Sequence, residues 1–280
     1  MSTTVIKPLI APLRFLLVVA GVLVLISGVQ LFIFAEQTDR WFAWTIKPPL
    51  TAAFLGGAYW SSMFLEFLAA REAFWAHARV ATSAVLTFTV LTLGVSILHL
   101  DRFHFGSQDP VTLTATWAWF VVYAAVPPLL ATLLVIQWRT PGADPSLEAP
   151  LPAWLWPIIG LQAAALFTAG AMMLVAPQVF TVLWPWQLTP LTARAIGAWL
   201  VGLSVAAAHV LREGDFTRVR IVQISSTVFV ILQVIALARY PAEVAWNDPR
   251  LWVYAAFLAG ILAVSLYAWR AASVHRRQAV

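Results

Sequence analysis

The chain of 280 residues has no cysteine. Disulfides, thiolate metal sites, iron–sulfur clusters and a cysteine nucleophile are thereby excluded. Charge is scarce too. Asp, Glu, Lys and Arg make up 10% of the residues, against about 25% in a water-exposed domain. Only two lysines occur, Lys7 and Lys47. Neither falls inside an apolar run, so a retinal-type Schiff base has no amine to form on. No H-E-x-x-H, no G-x-S-x-G and no phosphate-cradling glycine loop stands in a suitable context. The net charge of +5 comes from basic residues scattered between apolar runs. No basic stripe interleaved with aromatics exists to track a nucleic acid backbone.

Apolar residues fill the space that charge leaves, at 61% of the chain. A membrane-crossing helix takes about 20 of them in succession. Eight runs qualify by that criterion, at roughly 11–35, 51–70, 80–100, 112–137, 153–176, 191–211, 219–238 and 251–269. None alternates as a barrel strand does. The expected fold is an all-α integral membrane protein. The first run follows Lys7 and Arg14 like an export signal, but it exceeds the roughly 7–15 residues of a signal core and reads as a retained span.

The sequence is written twice. A shift of about 141 residues superposes Leu50 on Leu191, Thr51 on Thr192, Gly56 on Gly197, Arg71-Glu72 on Arg212-Glu213, and Arg79 on Arg220. The repeat predicts two four-helix halves, 1–140 and 153–280, joined by a cytoplasmic linker at 141–152. Four is an even number, so both halves point the same way, related by a pseudo-twofold axis along the membrane normal. With the amino terminus inside, eleven basic residues fall inside and six outside. The positive-inside rule then puts both termini in the cytoplasm. Arginine and alanine richness suggests a bacterium and hence its inner membrane.

Asp109 and Asp248 each precede a proline and an apolar run, the pattern of a helix cap. Many of the fifteen tryptophans sit near span ends, as an aromatic belt requires. Trp60 and Trp199 instead fall mid-span, either as core residues or as walls of a cavity. Gly56, Gly57, Gly197 and Gly202 lie on small-residue stripes that let helices two and six approach neighbours closely. Pro127-Pro128 should kink helix four. The aromatic stretches 36–50 and 177–190 read as segments lying in the interface.

Ionisable groups within spans are the default functional candidates. Glu66 is the one carboxylate well inside a span, on a stripe with Tyr59 and Ser62. His209 lies at similar depth in helix six. Together they are candidates for a proton relay or pathway, although a structural role for both is the plainer reading. His77, His99, His104, His209 and His275 offer no facing pair at one depth, so no haem is expected. No other cofactor and no metal is expected. Three functions remain: a small-solute or proton-linked transporter with its pathway between the halves, a scaffold or accessory subunit of a membrane complex, and a membrane enzyme acting on a lipid or quinone through His99, Asp101, His104 and Asp109. The first is weakly favoured. The partners implied are the bilayer, a second copy of the chain or a membrane complex, and no nucleic acid.

Overall fold

Backbone groups in hydrocarbon must bond within their own segment, and the apolar runs are helices throughout. The computed structural model describes residues 5–278, with side chains described through Ala271. The side chains of His275, Arg276 and Arg277 lie outside the described residues. The helices are α1 Ala11–Gly28, α2 Thr38–Trp41, α3 Pro49–Arg71, α4 Trp75–Leu98, α5 Pro110–Arg139, α6 Leu155–Val175, α7 Pro177–Leu183, α8 Pro190–Glu213, α9 Arg220–Arg239 and α10 Pro249–Gln278. A π turn, Val29–Ile33, prolongs α1. No β-strand occurs among the described residues beyond three isolated bridges.

Seven helices are long and apolar enough to cross a membrane: α1 with its π turn, α4, α5, α6, α8, α9 and α10. The protein is therefore a multi-pass helical membrane protein. The remaining predicted run, 51–70, lies in α3, which has 23 residues, sixteen of them buried. Its glycines, serines and Glu66 lower its apolar character. A helix walled in by other helices has no need to resemble lipid. In the most apolar stretch of α8, 72% of residues are likewise buried, against 22% in α6 and in α10. The two inner helices are thus α3 and α8.

Each inner helix packs on two neighbours. Helix α3 lies against α1 and α9, and α8 lies against α6 and α4. The glycines sit at these crossings. A Cβ on Gly56 would stand 2.4 Å from the Phe32 nitrogen of the π turn, and one on Gly197 2.8 Å from the Gly170 carbonyl of α6. Gly57 faces Gln233 and Leu232 of α9, and Gly202 faces Phe88 and Ala84 of α4. Side chains add two bonds between α3 and α9: Ser225 donates to the Ser61 carbonyl at 2.7 Å, and Gln233 to the Phe54 carbonyl at 3.1 Å.

Two local expectations meet a different structure. Helix α4 starts at Trp75 rather than near residue 80, because its first turn (Trp75, Ala76, His77, Ala78) lies on the core and is held through the bond from the Trp75 N–H to the Lys7 carbonyl. Trp44, Trp75 and Trp186 are buried, not in a belt. Trp44, for one, packs on Phe42, Phe103 and Trp119. Trp138, Trp154, Trp156, Trp246, Trp252 and Trp269 are exposed as a belt requires.

The Gly56 crossing generates the first prediction. Gly56→Ala should destabilise the protein by about 1–3 kcal/mol, since the neighbour is backbone and cannot turn aside. Gly94→Ala, with nothing within 4 Å of its Cβ, should leave the melting temperature unchanged or higher. Equal melting of the two variants in detergent would refute close packing at Gly56.

Candidate functional site

The face where α1 begins is called near, and the opposite one far. Tyr59, Ser62 and Glu66 run down α3 toward the near face. The Tyr59 hydroxyl lies 2.7 Å from the Tyr123 hydroxyl of α5, both buried. Ser62 donates weakly to Glu66 Oε1 at 3.4 Å. The second carboxyl oxygen of Glu66 is buried without a hydrogen-bond partner. Among the described residues no cation pairs with it. Leaving a polar atom in this state costs about 1–3 kcal/mol.

His209 lies in α8 at the depth expected, half-buried, but no hydrogen bond joins it to Glu66. The charges that act on it are Arg212, Glu213 and Arg79. Trp60 donates to the Leu25 carbonyl at 3.2 Å and packs on Phe32, so it ties α3 to α1. Trp199 has a buried, unpartnered indole N–H. It lines a cavity of about 40 Å³ between α3, α4, α8 and α9, shared with Ser62, Ser225 and Ser226. This space, where the halves meet, has room for a water or two and no more. Asp109 accepts from the Val111 N–H at 2.9 Å and Asp248 from the Arg250 N–H at 2.8 Å, both in cap geometry.

The far-face histidines and acids are occupied individually. His104 contacts the Phe42 carbonyl and Thr45, His99 faces Arg194 at 2.9 Å, Asp101 pairs with Arg102 and Asp109 with Arg40. Among the described residues no three acidic or imidazole groups converge as metal ligands would.

Larger spaces lie elsewhere: one of about 540 Å³ between α1 and α3 at the near face, lined by Arg14, Phe64 and Arg71 among others, and a group beside α6, α8 and α10. Position 207, equivalent to Glu66 by the repeat, is alanine. Beside it opens a cavity of about 110 Å³, lined by Ala207, Gln162, Ser226 and Ser265 among others. At Leu166, Leu203, Phe229 and Ile261 it shares its wall with a second cavity of about 220 Å³, which reaches Phe180, Trp184, Tyr254 and Phe257. Trp184, Pro185 and Arg250 then pass the wall on to a far-face vestibule of about 490 Å³. The three adjoin one another along α6 and α10 and are together called the cleft. Those two helices pack on α8 and α9. They meet each other at the near end, where Trp154 packs on Tyr267 at 4.9 Å, and at mid-length, where a Cβ on Gly260 would stand 3.4 Å from Gln162, so any opening between them lies on the far side of Gln162. Sequence reasoning did not find the cleft. The signal was the loss of side-chain bulk from Glu66 to Ala207 between aligned copies.

A charged cluster at the near face was also missed. Arg79 of α4 forms a bidentate pair with the buried Glu213 and reaches Asp144 at 2.8 Å. Arg218 bonds Glu213 and the Pro145 carbonyl. Asp215 accepts from the N–H groups of Glu148 and Ala149 at 2.7 and 2.8 Å. The stretch 141–152 is thus clamped onto the connection between α8 and α9. Repeat logic pairs Arg220 with Glu72, but Arg220 is exposed and Glu72 contacts His77.

No known protein family matches the chain, and no curated protein and no solved structure is significantly similar to it.

Burial alone would push the Asp215 carboxyl up. The Thr217 hydroxyl and the N–H groups of Ala149, Thr217 and Glu148 outweigh it and hold the carboxyl below the usual range. A carboxyl held down on folding lends stability that is complete above its unfolded pKa of about 3.9 and is lost as pH falls through the lower folded value. Asp215→Asn should remove this acid-side loss and cost about 1–3 kcal/mol at neutral pH. Unfolding in detergent as a function of pH reads both effects; a variant indistinguishable from the parent at every pH would dismiss the clamp.

Proposed function

We propose that the chain is an eight-span protein of a bacterial inner membrane, both termini cytoplasmic, built from two parallel repeats, and that it binds and carries a lipid-soluble small molecule taken sideways from the bilayer into the second repeat. Contacts 141 residues apart support the repeat. Gly56 meets Leu31 and Phe32 as Gly197 meets Met173, and Ser225 meets Ser61 as Ala84 meets Gly202. The basic residues support the orientation. Length supports α3 as the eighth span: 23 residues at 1.5 Å rise cover about 34 Å, against a hydrocarbon core of about 30 Å.

The cleft carries the functional reading. Clefts lined mainly by apolar and aromatic side chains, with a few polar groups, are the usual form of a small-molecule site. Its way to lipid, between α6 and α10, lies on the far side of Gln162. The space between the repeats, the pathway weakly favoured on sequence grounds, is close to filled. A second reading rests on Glu66, whose free oxygen suits a proton-binding group in a proton-linked carrier. In that case Glu66→Gln abolishes proton flux in proteoliposomes, while unchanged flux would leave Glu66 a structural group.

The main reading is tested with a neutral apolar fluorophore, the methyl ester of parinaric acid, added to protein in nanodiscs. Energy transfer from tryptophan should saturate at one probe per chain. Ala165 and Ala169 line the cleft; changing both to Phe should weaken binding at least about tenfold, the equivalent of about 1.4 kcal/mol. Transfer that rises linearly with probe, and equally in parent and variant, would show partition into lipid alone and end the reading.

A further inference from the structure

The far end of the cleft is built unlike the rest of it. Trp184, Trp186, Tyr254 and Phe54 form one aromatic group, with ring centroids 5.2 Å apart for the two tryptophans and 5.6 Å for Trp186 and Tyr254. Trp184 lines both the apolar cleft and the vestibule, and Trp186 lines the vestibule. Both indole N–H groups are buried and neither has a hydrogen-bond partner, and Trp186 is only 6% exposed. Buried indoles ordinarily find an acceptor. The two unmet donors stand beside one cavity without opening onto it, and a turn of either ring would present its N–H to an acceptor held there.

We infer that the cleft takes an isoprenoid quinone, its flat ring among Trp184, Trp186 and Tyr254, its carbonyl oxygens accepting from the indole N–H groups, and its tail running along the apolar channel toward Ala207. The inference rests on the reading of the cleft given above and names its ligand. Each part of such a molecule meets a matching wall. The ring meets aromatic faces and edges. The carbonyls meet donors. The tail meets Leu166, Leu203, Phe229 and Ile261, and its way in from the bilayer is between α6 and α10 on the far side of Gln162 and Gly260. Charge decides against an anionic phospholipid. The ionisable residues lining the mouth are Glu243, Asp248 and Arg250, and Arg250 is already paired with Asp248. The mouth has no free cation for a phosphate, whereas a quinone head is neutral.

The test is displacement of parinaric methyl ester from the parent protein in nanodiscs by decylubiquinone, by decylbenzene, which keeps a ring and tail but has no carbonyl, and by phosphatidylglycerol. Decylubiquinone should displace the probe about thirtyfold more effectively than decylbenzene, at roughly fivefold for each hydrogen bond gained. Phosphatidylglycerol should not compete. Replacing both Trp184 and Trp186 by Phe keeps the rings and removes the donors; it should erase the quinone's advantage and leave decylbenzene unchanged. The comparison of ligands on the parent protein stands even if that variant folds poorly. Equal displacement by quinone and decylbenzene, or stronger displacement by phosphatidylglycerol, overturns the quinone while the lipophile-binding reading survives. Absence of saturable probe binding in the parent removes both.

Discussion

In hydrocarbon, helices are not driven together by water, and close contact must do that work instead. The close approach at Gly56 and Gly197 is the constraint on which the rest of this structure depends. It draws α3 onto α1 and α8 onto α6, and it places the two least lipid-like helices inside. Once there, they can carry groups that lipid would not tolerate: Glu66, Tyr59, the serines of α3, and the ion pair at the end of α8. The outer helices, left to face lipid, are free to diverge.

That divergence separates the halves. In the first, Glu66 fills its slot, Tyr59 and Tyr123 join α3 to α5, and α1 touches α5. In the second, Ala207 stands beside an open space, and α6 meets α10 through Trp154 and Tyr267. The near-face ion pairs are uneven in the same way: Arg79 crosses to Glu213, and its counterpart Arg220 lies exposed.

Much of the fold was legible from residues alone. Apolar runs of span length became helices with ends within a few residues of expectation, because length and composition leave little choice in a bilayer. The caps at Asp109 and Asp248 follow from Asp-Pro before an apolar run. The aligned glycines are each at a helix crossing. The cleft was not legible, because a cavity is set by what side chains fail to fill, and no motif marks an absence. The near-face cluster was hidden for another reason. Arg79 and Glu213 stand 134 residues apart, a separation no local pattern marks, and Asp215 acts on backbone N–H groups that carry no sequence signal.

The start of α3 has no cap of its own. Its Leu50 N–H is satisfied by Glu243, which donates no proton but offers Oε2 at 2.8 Å from 193 residues further along the chain. At synthesis rates of about 5–20 residues per second, α3 waits on the order of 10–40 seconds for that carboxylate. During the wait, a helix too polar to be comfortable in lipid has an open amino end and no α9 to lie against. The first half of the chain is thus complete as sequence well before α3 has gained the carboxylate and the helix that finish it as structure.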